Sequence, residues 1–377
     1  MKIAMVGDLT DGGYDVVSLA DALARRGPEV RMLTAGPQGA APAGGFTIDR
    51  IPVEVAHGAR PEDLMPLIGD IARHLIRAWE SARPDVVHCH GWGYGMAAQL
   101  AAKRCPVPTV QTFPGLTAAA RRDGDGMDAA MRIQSLLVRN ATAVTVPCHD
   151  DMRDVIRLGC PRARVSVLAP GVEVDDVTAE EIVSRGTEPT RRIVAVARDL
   201  TPAQGLAQVL RVLPSLGAAE LVLTTTHADD GQCSDQLLDL ARKLKIDKRV
   251  RLVAGVSGDD LTALFRSADV VVAPALYEPS CATVLQAMAC GAPIVATAAG
   301  GVRDAVIADV TGLLVSAGRP DALARALRSI LGQMVLRQGM GLAGRSRARS
   351  RYSWDRIATD AEVVYGSVLD RESAPLR

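Results

Sequence analysis

The chain has 377 residues, more than one hydrophobic core usually organises, so its length predicts two domains. Basic and acidic residues number 43 each and aromatic residues make up 3%, which argues against nucleic acid as a partner. The seven cysteines are odd in number and include no CxxC pair, which disfavours disulfides or zinc and predicts a cytoplasmic protein. No run approaches the roughly 18 uncharged apolar residues of a membrane span, so no integral membrane segment is expected.

Short apolar runs alternate with amphipathic stretches along the first half of the chain. The predicted strands are 3–6, 29–34, 85–88, 109–112, 143–146 and 165–168. After the first strand, apolar residues between Val16 and Leu23 recur at helical spacing, and Gly27 closes that helix. Strands this short and apolar, separated by helices, indicate a parallel sheet covered on both faces.

A polar stretch from about 173 to 191 predicts a linker, after which the alternation restarts. The second set of predicted strands is 193–196, 221–224, 250–253, 270–273 and 294–297, with helices including 232–244 and 320–331. Two such series predict an α/β protein with two doubly wound, Rossmann-like domains. The expected domains are residues 1–175 and 190–350, with a final helix, 354–377, packing back on the first domain.

Open parallel sheets bind ligands at the carboxyl ends of their strands. Two such domains facing each other predict a ligand cleft between them. Gly12 and Gly13 follow the first strand, where paired glycines let the main chain approach a ligand. A tight turn explains the pair equally well.

The segment HCHGW ends another predicted strand and contains His90 and Trp92. Two histidines two residues apart point the same way, but no nearby third ligand favours a metal. His90 and Trp92 are instead candidates for lining the cleft, with a packed histidine as the alternative.

Arg198 follows the apolar strand IVAVA, and Gln204 and Gly205 come shortly after it. A planar guanidinium at a strand end suits a diphosphate group by charge and shape. A solvated surface arginine is the alternative.

The strongest signal is ALYEPSCATVLQAMACGAPIVAT, residues 275 to 297. Its Glu278 follows a strand, and like charges exclude a phosphate role, so acceptance of hydrogen bonds from sugar hydroxyls is expected. A helix is expected to begin near Cys281, where main-chain N–H groups can receive a phosphate. Gln286, two turns into that helix, is expected at a depth where a ribose could sit, with a polar helix residue bonded to the main chain as the alternative. A run of four arginines between 345 and 351 is interpreted as a solvated helix end.

The segment YEPSCATVLQAMACGAPIVAT resembles the Glu-x7-Glu signature of retaining GT-B glycosyltransferases. That family includes the mycothiol-pathway N-acetylglucosaminyltransferase and sucrose-phosphate synthase. Blocks such as PDVVHCHGW, VPTVQTF, FRSADVVVAPALYEPS and RYSWDRIA follow the order in the family along nearly the whole chain.

The resemblance implies roles for residues on both sides of a donor site. It implies that Glu278 holds the hydroxyls of the donor sugar and that Arg198 neutralises the diphosphate. It places Gly12 and Gly13 near the phosphates. It also implies that the reaction requires neither a cofactor nor a metal ion.

The resemblance also implies how the helix after Glu278 is used. The stretch around Ser280 and Cys281 would lie at the donor, and the main-chain N–H groups of Ala282 and Thr283 would bind the diphosphate. Gln286 would face the ribose.

Several charged positions of the family are altered in this chain. Gln286 replaces the second glutamate of the signature, and Gln204 stands at the lysine that lies near the phosphates. Pro114 occupies the place of a histidine after the Thr-Phe pair. Pro114 also counts as a cleft position on the acceptor side.

The function predicted from these residues is retaining transfer of a sugar from a nucleoside-diphosphate sugar to an acceptor hydroxyl. The acceptor is a small molecule or a glycan, and homo-oligomerisation is left open. The altered positions support an alternative, a catalytically impaired GT-B homologue that acts as a nucleotide-sugar-binding or partner subunit. An epimerase or a phosphorylase on the same architecture is a minor third interpretation.

Overall fold

The computed structural model describes residues 1–8, 15–35, 44–55, 61–113, 115–116, 129–174, 190–227, 231–278 and 280–373. The chain divides into two compact units. Unit 1 comprises Met1–Gly171 together with Trp354–Arg377, and unit 2 comprises Val172–Ser353. Most of the predicted linker, residues 175–189, lies outside the described residues.

Unit 1 contains a seven-stranded parallel sheet in the order β3-β2-β1-β4-β5-β6-β7. Its strands are β1 Lys2–Val6, β2 Glu29–Thr34, β3 Thr47–Arg50, β4 Val86–His90, β5 Thr109–Thr112, β6 Ala143–Val146 and β7 Val165–Val167. Its helices are α1 Val16–Arg25, α2 Ile68–Ser81, α3 Trp92–Ala102, α4 Ala129–Asn140, α5 His149–Arg157 and α13 Trp354–Ser373.

The strands of unit 1 are apolar on both faces because helices cover the sheet from both sides. Ile3 and Met5 pack with α1 and with α13, whose Tyr365 is fully buried. Ala4 and Val6 point to the opposite face, against residues of α2 and α3. The alternation of neighbouring side chains along β1 thus splits the core into two layers.

Unit 2 contains a six-stranded parallel sheet in the order β10-β9-β8-β11-β12-β13. Its strands are β8 Arg191–Ala197, β9 Ala219–Thr225, β10 Val250–Val253, β11 Val270–Ala273, β12 Ile294–Thr297 and β13 Gly312–Val315. Its helices are α6 Leu206–Val212, α7 Gln232–Lys243, α8 Gly258–Ser267, α9 Ala282–Ala289, α10 Gly301–Ala305, α11 Pro320–Gly332 and α12 Met334–Tyr352.

The predicted fold class is confirmed, since both sheets are parallel and doubly wound. Two strands went unpredicted, β3 and β13, both at the edge of a sheet and mostly half-buried. Two of the four residues of β3, TIDR, are charged, so β3 shows no apolar run, whereas the short apolar run GLLV of β13 went unrecognised. Strand β4 also continues to His90, two residues beyond its predicted end. Among the helices that the structure describes, none is long and apolar enough to cross a bilayer.

Candidate functional site

The strand order of unit 2 reverses direction between β8 and β11, which pair side by side in the middle of the sheet. Connections leave these two strands toward opposite edges, which is the topology expected to form a ligand-binding crevice at their carboxyl ends. Arg198 comes directly after β8, and Glu278 follows β11. The two side chains that the sequence singled out therefore lie in the loops that follow the two strands flanking this switch point.

The main chain and the carboxylate of Glu278 are both held by neighbouring N–H groups. Gly301, the first residue of α10, donates its N–H to the Glu278 carbonyl oxygen at 2.9 Å. Ser280 donates its N–H to Glu278 Oε1 at 3.3 Å. Burial raises the pKa of Glu278, the Ser280 bond and the charge of Arg198 lower it, and the charge of Asp199 raises it, so that the pKa lies above its ordinary value.

Helix α9 begins beside Glu278. Its N-cap residue, Cys281, is buried and has a φ of +49°, a left-handed backbone that costs a non-glycine residue roughly 1–2 kcal/mol. Ala282 donates its N–H to Ser280 Oγ at 3.3 Å. The half-buried Thr283 follows in the first turn, at the positive end of the helix dipole. A phosphate here would compete with the Ser280 hydroxyl for the N–H of Ala282.

Gln204 is buried, and its amide oxygen is directed at the main chain of Arg198. The N–H of Arg198 donates to Gln204 Oε1 at 3.3 Å, and the Arg198 carbonyl accepts the N–H of His227 at 2.9 Å. Gly205 has a φ of +74° and lies against the Pro274 carbonyl, where a Cβ would overlap that oxygen. The side chain of Gln204 therefore holds the main chain of Arg198 in place through this hydrogen bond.

Gln286 lies half-buried on α9 and is bonded to the neighbouring helix. Its Nε2 donates to Thr262 Oγ1 on α8 at 3.2 Å. The side chain therefore has a protein partner, which a ribose would have to share or replace.

The switch point of unit 1 lies between β1 and β4. His90 ends β4 and is buried, and a Cβ on Gly7, which follows β1, would lie 2.9 Å from the Cβ of His90. Burial lowers the pKa of His90 to about 3, so its imidazole is neutral at physiological pH. His90 therefore lies at the carboxyl ends of the central strands, where a doubly wound unit such as unit 1 is expected to bind a ligand.

Next to His90, the buried side chain of His88 is hydrogen-bonded to two other polar side chains. The His88 ring lies 4.2 Å from the His90 ring, measured between centroids. His88 Nδ1 is 2.7 Å from the Tyr365 hydroxyl on α13, and His88 Nε2 is 2.6 Å from Thr112 Oγ1 on β5. Burial, and then the neighbouring His90, lower the pKa of His88 well below its usual range.

Trp92 is 5% exposed and packs with Phe113 and Leu116 in a core cluster of unit 1. Packing is thus sufficient to account for its position. Gly12, Gly13 and Pro114 lie outside the described residues, and their roles stay predictions. Among the residues described, no group of three or more His, Cys, Asp or Glu side chains could hold a metal ion.

Two residues near the site were missed by the sequence pattern. Asp199 is paired with Arg198, its Oδ2 lying 3.3 Å from Arg198 Nε. Arg347, interpreted from sequence as part of a solvated helix end, instead donates to the carbonyl oxygens of Ala305 at 2.7 Å and Asp304 at 2.9 Å. Arg347 therefore caps the carboxyl end of α10, whose first residue holds Glu278.

Two doubly wound units in one chain are the architecture of the GT-B class of glycosyltransferases, and here Arg198 and Glu278 follow the strands at the switch point of the second unit. A family model described as "Glycosyl transferases group 1" matches residues 177–347, and one described as "Glycosyl transferase 4-like domain" matches residues 12–171. The chain is 33% identical, in an alignment over 95% of its length, to the D-inositol 3-phosphate glycosyltransferase of Mycobacterium tuberculosis, of which the match covers 79%. The chain therefore belongs to the GT-B glycosyltransferase family, and the predicted enzyme class is confirmed.

Solved structures share the fold at low sequence identity. Sucrose-phosphate synthase from Thermosynechococcus elongatus has a TM-score of 0.82 at 20% identity, covering 98% of this chain and 99% of its own. Anabaena HepE, solved in complex with UDP and glucose, has a TM-score of 0.76 at 17% identity, covering 97% of this chain and 100% of its own. These similarities support the fold of both units.

Proposed function

We propose that this glycosyltransferase moves a sugar from a nucleoside-diphosphate sugar to an acceptor hydroxyl, with retention of configuration at the anomeric carbon. The bond from the anomeric carbon to the diphosphate oxygen breaks, and a bond to the acceptor oxygen forms on the same face. The departing diphosphate takes up the bonding electron pair, the acceptor hydroxyl passes its proton to that diphosphate, and no metal is required.

The observation that carries the proposal is the placement of Arg198 and Glu278 after the two strands that flank the switch point of unit 2. A guanidinium suits the diphosphate, and a carboxylate suits the sugar hydroxyls that donate hydrogen bonds. The start of α9 adds main-chain N–H groups and the positive end of a helix dipole. Together these features match the sugar and the diphosphate of such a donor.

Relatives support a nucleotide-sugar donor. Anabaena HepE was solved in complexes with UDP and with UDP-glucose. The mycobacterial relative is named a D-inositol 3-phosphate glycosyltransferase, which makes that compound a rational first acceptor to assay. For unit 1 we propose acceptor recognition, with His90 at its switch point.

The test is a panel of nucleotide sugars, including UDP-glucose, UDP-N-acetylglucosamine and GDP-mannose, assayed with the purified chain. Calorimetry measures binding, release of nucleoside diphosphate measures turnover, and proton NMR of the product reports its anomeric configuration. Activity in the presence of EDTA is expected. An inverted product would refute retention, and absence of binding across the panel would refute the donor site.

A variant pair sharpens the assignment. Glu278→Gln removes the carboxylate charge and is expected to reduce turnover on the order of a hundredfold. Glu220→Gln is the matched control, because Glu220 pairs with Arg192 at the opposite, amino-terminal edge of the same sheet. Equal activity in the two variants would reject Glu278 as a donor-sugar residue.

A further inference from the structure

The turn after β8 carries a carboxylate next to the guanidinium proposed to meet the diphosphate. Asp199 Oδ2 lies 3.3 Å from Arg198 Nε. The other carboxylate oxygen, Oδ1, accepts the Thr201 N–H at 2.9 Å and the Thr201 hydroxyl at 2.5 Å. Asp199 is therefore fixed in place by Thr201 while it contacts Arg198.

The main chain of Arg198 is held by hydrogen bonds as well. Its main-chain N–H is bonded to Gln204, and its carbonyl to the N–H of His227. Within the part of the chain that the structure describes, the hydrogen bond of its guanidinium to another residue runs through Nε and not through the Nη atoms. Asp199 thus engages one edge of the guanidinium and leaves its terminal nitrogens for a ligand.

The charged side chains described next to this switch point are mixed in sign, although a diphosphate is an anion. Two carboxylates, Asp199 and Glu278, accompany one guanidinium, and the charges of Arg198 and Asp199 both act on Glu278. Burial acts to raise the pKa of Asp199, but the hydrogen bonds from Thr201 and the charge of Arg198 outweigh it and leave that pKa lowered, so Asp199 is ionised at neutral pH. Gln204, the next buried polar side chain of the loop, carries no charge.

Resting on the proposed function, we infer that Asp199 limits the affinity of this site for nucleoside diphosphate and so promotes release of the leaving group after transfer. Its negative charge repels the phosphates and partly neutralises Arg198. The released nucleoside diphosphate carries about one more negative charge than the donor, whose terminal phosphate is esterified to the sugar, so the repulsion acts more strongly on the product than on the donor.

The test compares the full-length wild type with Asp199→Asn, which removes the charge but keeps an oxygen that can accept the Thr201 bonds. UDP and GDP are titrated by calorimetry at low salt, and product inhibition is measured in the transfer assay. The Kd of the diphosphate is expected to fall about three- to tenfold in Asp199→Asn. The difference is expected to shrink at about 1 M salt, which screens exposed charges.

Two further variants separate charge from structure. Glu220→Gln, at the far edge of the sheet, makes the same charge change and is expected to leave the Kd unchanged. Asp199→Ser removes the charge with a different side chain and is expected to strengthen binding as well. Unchanged or weaker diphosphate binding in both Asp199 variants would overturn the inference while the proposed function stands, whereas a wild type that binds no nucleoside diphosphate would overturn both.

Discussion

Gly300 lies against the main chain of Glu278 so closely that a Cβ on Gly300 would overlap the Glu278 carbonyl oxygen. Gly300 also has a φ of +55°, in the left-handed region that favours glycine. The next residue, Gly301, donates its N–H to the same carbonyl at 2.9 Å. The carboxylate proposed to hold the donor sugar is thus anchored through its own main chain to the start of α10.

Replacing Gly300 by alanine is therefore expected to displace Glu278. We expect a loss of turnover of about tenfold or more and a loss of roughly 1–3 kcal/mol in the free energy of unfolding. Steady-state kinetics and chemical denaturation measure the two effects. Gly318→Ala is the control, since Gly318 has a φ of +69° but nothing within 4 Å of an added Cβ. Similar activity losses in both variants would contradict a specific effect on Glu278.

The pH dependence of transfer should report Glu278. Its carboxylate must be ionised to accept hydrogen bonds from two sugar hydroxyls, and burial raises its pKa above the usual 4.5. Activity is therefore expected to fall with decreasing pH earlier than for an exposed carboxylate. Glu278→Gln should lose this acidic limb, and an unchanged pH profile in that variant would contradict the assignment.

The same raised pKa predicts a cost in stability. The folded state binds the Glu278 proton more tightly than the unfolded chain, so the free energy of unfolding falls as pH rises from the ordinary pKa through the raised one. Glu278→Gln is expected to be more stable than the wild type at pH 7, with the difference disappearing in acid. Urea denaturation at pH 4 and pH 7 tests this expectation, and a destabilised variant at pH 7 would refute it.

The buried histidines of unit 1 are expected to make the free energy of unfolding depend on pH in the opposite direction. His88 and His90 are neutral when folded, with pKa values below the usual 6.5, so the unfolded chain binds their protons more tightly. The free energy of unfolding is expected to fall as pH decreases below about 6.5. Substituting both residues by glutamine should flatten this dependence, while His149→Gln, at an exposed position, should not. Urea denaturation between pH 5 and pH 8 measures it, and the same slope in the double variant and the wild type would argue against these histidines as its source.

Arg347 is expected to stabilise α10 and, through it, Glu278. Arg347→Met removes the bonds to the carbonyl oxygens of Asp304 and Ala305 and should cost about 1–3 kcal/mol of stability. Turnover should fall as well, with partial recovery in Arg347→Lys. Arg349→Met is the control at an exposed position of the same helix. Loss of stability without any change in kinetics would separate Arg347 from the site.

Much of the architecture could be predicted from local pattern. Buried strands such as β8 and β11 are short apolar runs, and the polar residues that follow them, Arg198 and Glu278, were identified as candidates by that position and by the family resemblance. The helix after Glu278 was also predicted, because apolar spacing is a local property of the chain. Local pattern therefore determined the fold class and the principal candidates.

The partners of these residues were decided only by the tertiary structure. Strand order brings β8 beside β11, and packing turns Gln204 inward, buries Trp92 and attaches Arg347 to α10. Each of these contacts joins side chains or strands whose pairing leaves no periodic mark on the sequence. The sequence by itself determined which residues stand at strand ends, whereas the folded chain decided which of them meet, because long-range contacts depend on the geometry of the whole sheet.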